Sequence, residues 1–148
     1  MNPIPQQLLI CGTALFLLSL LMGFAIPVFA NPRMGVEMHV TGLQSGMALW
    51  ALGLMWQRVA LPAGAERPAQ ILAVAGLYAT FISLLLAAIW GTSRATPVAG
   101  AGHQASHLRE AVVTVLVTGG SLATVAAVAL VLWGLCTHGR PPSPITCQ

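Results

Sequence analysis

Four stretches of this chain, residues 8–30, 38–56, 71–90 and 111–135, are long and almost uninterruptedly apolar. At about 1.5 Å per helical residue, some twenty such residues cross a hydrocarbon core of about 30 Å. In lipid every backbone N–H and C=O must be satisfied within the segment, which leaves the helix as the natural form for each run. Charged residues are only 6% of the 148 positions, against about 25% for a soluble domain. The expected fold is therefore an all-α membrane protein with four transmembrane helices in an up-down bundle. That single domain occupies residues 1–138, and the Pro-rich stretch 139–148 reads as a disordered tail. A cleavable signal peptide ending at Val28-Phe29-Ala30 is the competing reading of the first run. It lacks a preceding Lys or Arg, and the run is longer than an h-region.

The charged residues are six Arg, no Lys, three Glu and no Asp. The arginines are scattered rather than clustered into a stripe, so a nucleic-acid footprint is absent. Cys11, Cys136 and Cys147 are too widely spaced for a thiolate metal pair and odd in number for a disulfide framework. Threading four spans places Arg58, Arg67 and Arg140 on one side of the membrane and Arg33, Arg94 and Arg109 on the other. That balance leaves orientation undecided by the positive-inside rule. The remaining polar groups are less evenly divided. Arg33, Glu37, His39, His103, His107, Arg109 and Glu110 all gather on the side of the first and third connections, where any chemistry would be expected.

Two constellations lie there. Asn31-Pro32-Arg33-Met34-Gly35-Val36-Glu37-Met38-His39 puts three ionisable groups at a membrane boundary, where they are costly unless paired or wetted. Along the second span His39, Gly42, Gly46 and Gly53 share one helical face. Such a small-residue stripe either packs a neighbouring helix closely or receives a flat group beneath an imidazole ligand. The second constellation runs from Gly102 to Glu110. If it is helical, His103 and His107 project together, a weak metal pair; His103 meeting His39 across the bundle is the stronger arrangement.

The elements Asn31-Pro32-Arg33-Met34, His39 followed by Gly42 and Gly46, Trp90-Gly91 and Ala101-Gly102-His103-Gln104 resemble the hydroxylaminobenzene mutase family. The resemblance covers roughly Gln6 to Leu135 and includes the four-span layout. It implies a bacterial enzyme of nitroarene degradation that isomerises an aryl hydroxylamine to an aminophenol, a Bamberger-type rearrangement. It also implies a small aromatic substrate and a multi-pass protein of the bacterial inner membrane.

That chemistry needs a general acid or a Lewis acid at the N–O bond. Glu37, Glu110 and the histidines are the candidate acids, with Arg33 orienting a carboxylate. A haem b iron is the expected Lewis acid, with His39 or His103 as axial ligand and Gly42, Gly46 and Asn31 around the cofactor. No CxxCH is present, so covalent haem is excluded. Other classes compatible with the same residues are a small electron-transferring haem protein and a non-catalytic accessory membrane protein. Four slim helices also allow a site shared within a homo-oligomer.

Overall fold

The structure is a computed structural model that describes residues 3–138, with the side chains of Ala63 and His138 outside the description. It consists of four long helices, α1 (Ile4–Gly23), α2 (Pro32–Met55), α3 (Ala63–Trp90) and α4 (His107–His138). Short 3-10 turns at Ile26–Val28 and Trp56–Arg58 follow α1 and α2, and no strand occurs among the described residues. The tail expected at 139–148, with Arg140 and Cys147, lies outside the described residues. Three helices, Ile4–Gly23, Gly64–Trp90 and His107–Thr137, are long and apolar enough to cross a membrane. The least apolar is α2, which carries Arg33, Glu37, His39 and Gln44.

Successive helices pack on one another in the order of the chain, and α1 also touches α3. Gly23 lies against His39 and Gly53 against Leu9, so α1 and α2 run antiparallel. Gly42 lies against Phe81, and Asn31 N–H donates to Ala88 C=O, so α2 and α3 are antiparallel too. Gly76 lies against Thr124 and Gly120 against Thr80, which orients α4 against α3. The α1–α2 and α3–α4 hairpins are each joined at a reciprocal glycine contact. A Cβ added at Gly12 would stand 2.8 Å from the Gly46 carbonyl oxygen, and one at Gly46 2.9 Å from that of Gly12. Gly76 and Gly120 make the same exchange at 2.8 and 2.9 Å. In lipid, where apolar helices gain little by hiding from the solvent, such close approach is the means by which they associate.

The outer surface is unlike that of a soluble protein, while the interior is apolar with a few small polar residues. Leu17, Leu18, Leu20 and Leu21 of α1 and Val115, Leu122, Val125 and Leu132 of α4 face outward. Ser19, Ser45 and Ser83 are buried. A water-soluble helix exposes its polar face; here the outer surface suits lipid, and the protein is a membrane protein.

Helix boundaries differ from the apolar runs. The first helix ends at Gly23 rather than 30, because the chain turns through the 3-10 segment around Pro27, a residue with no N–H to continue a ladder. In α2 the start falls at Pro32 rather than 38. Asn31 caps it through its side chain, which accepts from Met34 N–H, and Pro32 occupies the first turn, a favoured pairing for helix initiation. Arg33 and Glu37 thus stand on the first turns of a helix and not in a loop. Glu66, Arg67 and Pro68 likewise belong to α3, which begins eight residues before the apolar run does.

Candidate functional site

The end of the molecule that holds the N-terminus of α2 is closed by the long connection between α3 and α4, sewn down by side chains. Gly91 ends α3 in the left-handed region, φ 64°, with its N–H on Ala87 C=O, a position where a side chain would be strained. Beyond it, Ser93 N–H donates to Glu110 Oε1 and Arg94 N–H to Glu110 Oε2, each at 3.0 Å. Asn31 Nδ2 donates to Ala99 C=O at 2.9 Å. The His103 ring crosses to Ala30 C=O through Nε2 at 3.1 Å and rests on Gly91. Thr96 Oγ1 approaches Met34 Sδ at 3.8 Å.

His39 is held differently. On the second turn of α2 it turns towards α1, and its Nδ1 lies 2.8 Å from the Ser19 carbonyl oxygen. A carbonyl only accepts, so Nδ1 carries a proton, and in the neutral ring Nε2 keeps its lone pair. Among the described residues Nε2 has no hydrogen-bond partner. An imidazole fixed through one nitrogen keeps the other available as an acceptor or a donor atom. The same reasoning applied to His103 gives the opposite result. Its Nε2–H donates to Ala30, and the bare nitrogen is Nδ1, which is enclosed by protein and unpartnered. His39 thus leaves Nε2 available, whereas His103 has that nitrogen already engaged.

Several residues expected around a cofactor have other tasks. The stripe of Gly42, Gly46 and Gly53 is no open cleft for a planar group, since α1 and Phe81 fill it. A Cβ at Gly42 would meet Ser19 Oγ and the Phe81 ring, at Gly46 the Gly12 carbonyl and Phe16, and at Gly53 Leu9 and the Pro5 carbonyl. Close helix packing is what this stripe serves. Asn31 is 1% exposed, with Oδ1 on Met34 N–H and Nδ2 on Ala99 C=O, so both polar atoms are engaged in joining α2 to the loop. Glu110 is buried with both carboxylate oxygens accepting backbone N–H groups, which makes it a loop anchor.

Arg33 and Glu37 are exposed, one turn apart, and no ion pair joins them among the described residues. Glu37 precedes His39 by two residues, about 200° around the helix, so the two do not converge. His103 lies before α4 and His107 opens it, so they do not form a one-turn pair. No group of three or more His, Cys, Asp or Glu stands in position to hold a metal among the described residues. His39 lies against Ser19 and Gly23, and His103 against Ala30 and Gly91, so the hydrogen bonds that hold the two imidazoles go to different segments at this end of the molecule. Arg109 lies over the Trp90 ring, 5.7 Å from its centroid.

Three residues at this end escaped the sequence reading. Ser19 and Gly23 frame His39, and their signal is slight: two small residues a turn apart in a Leu-rich run. Thr92 is the third, 1% exposed with an unpartnered Oγ1. A concavity of about 940 Å³ lies at the other end, lined by Pro3, Pro5, Leu9, Trp56 and Glu66 among others. A wholly apolar crevice of about 220 Å³ runs between Ala48, Leu52, Leu77 and Val128. Counted along α2 at about 1.5 Å per residue, it starts some 14 Å from His39, so neither concavity coincides with the histidine end.

The styrene oxide isomerase family model matches residues 4–136. The chain is 43% identical over 134 residues to hydroxylaminobenzene mutase HabB of Ectopseudomonas oleovorans, covering 90% of this chain and 82% of that protein. It is 38% identical over 125 residues to hydroxylaminobenzene mutase HabA of the same organism, 84% of this chain and 93% of that one. No solved structure matches. The match extends from the first turn of α1 almost to the end of α4 and includes every residue that frames His39: the chain belongs to the styrene oxide isomerase family and is an isomerase.

Proposed function

We propose that this isomerase converts an aryl hydroxylamine to an aminophenol. The observation that carries the reading is the 43% identity to a hydroxylaminobenzene mutase along 90% of the chain. The reaction is internally balanced. The N–O bond breaks, the oxygen bonds to a ring carbon, that carbon gives up its proton, and nitrogen takes one up. Substrate and product have the same composition, and no reductant is consumed.

What such a rearrangement asks of the protein is a group that draws charge from the N–O oxygen and surroundings that exclude competing nucleophiles. His39 is the residue best prepared for this, because Nδ1 is anchored and Nε2 is bare. We assign it as the protein ligand of a haem b, whose iron would supply the Lewis acid for the N–O group. His103 serves instead through its bond to Ala30, holding the loop over this end. The remaining readings are that α2 is a fourth span, making an up-down bundle, and that the enzyme resides in the inner membrane of a bacterium, where a small aromatic substrate partitions readily.

The family description favours a second substrate class, an aryl epoxide. Both classes carry a weak or strained bond to oxygen at the atom attached to the ring, and isomerisation of either needs that bond polarised.

One experiment separates them. Purified protein in detergent is given phenylhydroxylamine or styrene oxide in parallel, without reductant, and products are resolved by liquid chromatography. Aminophenol is expected from the first, with turnover abolished by His39→Ala and kept by His138→Ala. Folded wild-type protein that isomerises only the epoxide overturns the hydroxylamine reading. An absorption spectrum with and without dithionite tests the haem: no Soret band in active protein would end that assignment.

A further inference from the structure

We propose that Gly23 and Ser19 are positioning residues for the His39 imidazole, fixing which of its nitrogens is bare. The inference rests on the reading of His39 as the functional ligand and concerns how the chain prepares it.

Gly23 is the last residue of α1, and what surrounds it is unusual among the close glycines. A Cβ built there would stand 2.8 Å from His39 Nδ1, 2.9 Å from Cε1 and 3.6 Å from Cγ, and its three nearest neighbours are all atoms of that one ring. The other close glycines of the α1–α2 hairpin behave differently: Gly12 meets the Gly46 carbonyl and Trp50, Gly46 the Gly12 carbonyl and Phe16, and Gly53 Leu9 and the Pro5 carbonyl. Those positions admit a helix; Gly23 admits an imidazole. The contact falls at the nitrogen that is hydrogen-bonded, so a methyl group would push the ring off its acceptor.

One turn earlier, Ser19 completes the frame. Its carbonyl oxygen accepts from His39 Nδ1 at 2.8 Å, and its Oγ–H donates to the His39 carbonyl at 2.6 Å. The side chain is fully buried, and Gly42 is what permits the hydroxyl to reach between the helices. Two reciprocal bonds between the same two residues leave the ring little freedom to slide or rotate. Because the Ser19 carbonyl can only accept, the neutral ring must keep its proton on Nδ1, which leaves Nε2 bare. An outer partner of this kind sets both tautomer and ring orientation of a metal-binding histidine, and losing it typically costs about 10–100-fold in affinity or activity.

The test is a double-mutant cycle with a spectroscopic readout. Gly23→Ala, His39→Ala and the double variant are unfolded in detergent. Gly23→Ala is expected to lower the midpoint in the wild-type background and to have no such effect, or to raise it, once the imidazole is gone. Gly12→Ala, which clashes with backbone, should lower the midpoint equally in both backgrounds. In ¹⁵N-histidine-labelled protein, the resonances that vanish in His39→Ala should report an Nδ1-protonated ring. They should shift towards a tautomer mixture in Gly23→Ala and stay put in Gly12→Ala, with turnover in Gly23→Ala falling about 10–100-fold.

Equal destabilisation by Gly23→Ala with and without the imidazole, or an unaltered tautomer, overturns the proposal. Full activity of His39→Ala would instead defeat the functional reading, while the coupling between Gly23 and His39 would still stand.

Discussion

Asn31 is where a structural role and a cofactor-binding role make opposite demands, and its replacement discriminates between them. The side chain is 1% exposed. Its Oδ1 accepts from Met34 N–H at 3.1 Å, capping α2, and its Nδ2 donates to Ala99 C=O at 2.9 Å, pinning the α3–α4 connection. Loss of a cap costs about 1 kcal/mol. Loss of a buried bridge leaves a carbonyl unpaired, at about 1–3 kcal/mol. Asn31→Ala removes both and should cost about 2–4 kcal/mol. Asn31→Ser retains a capping oxygen, loses only the bridge, and should cost about 1–3 kcal/mol. For a chain of this size 1 kcal/mol is worth roughly 2–5 °C in midpoint, so Asn31→Ala should melt roughly 4–20 °C below wild type and Asn31→Ser between the two. The assay is thermal unfolding in detergent followed by far-UV circular dichroism. An Asn31→Ala protein that melts with the wild type would refute the reasoning, since no group can be buried, doubly bonded and dispensable. Losing activity at full stability would return Asn31 to the cofactor.

Other substitutions test neighbouring steps. Gly42→Ala drives a methyl into Ser19 and the fully buried Phe81 ring and should destabilise by about 1–3 kcal/mol, whereas Gly119→Ala, which meets nothing within 4 Å, should be neutral or slightly stabilising; equal melting of the two would disprove the packing of this stripe. Glu110→Gln keeps one acceptor of two, so the Ser93 to Arg94 backbone should gain faster amide hydrogen exchange and stability should fall by about 1–2 kcal/mol; unchanged exchange there would mean that the carboxylate is not the anchor. Arg109→Leu removes the cation over Trp90 and should cost at most about 1 kcal/mol without affecting turnover, and a large loss of turnover would give Arg109 a place in the chemistry.

The all-helical class and the number of long helices were legible along the chain, because lipid leaves so few ways to satisfy a backbone that long apolar runs can hardly be anything but helices. Their ends were not legible from hydropathy. A helix stops or starts where its terminal N–H and C=O groups find partners, so Asn31 and Pro32 open α2 six residues before its apolar run does, and the bend around Pro27 closes α1 seven residues early. The grouping of His39, His103 and Glu110 at one end follows from threading alone. Their separate tasks do not. Spacing made Gly42, Gly46 and His39 one face, but only packing shows that α1 and Phe81 occupy the glycines, that Ser19 and Gly23 hold the imidazole, and that His39 and His103 bare opposite nitrogens. Periodicity is a property of one helix, written in its own residues; which side of a ring is free depends on atoms contributed by another helix, and those are known only once the helices have met.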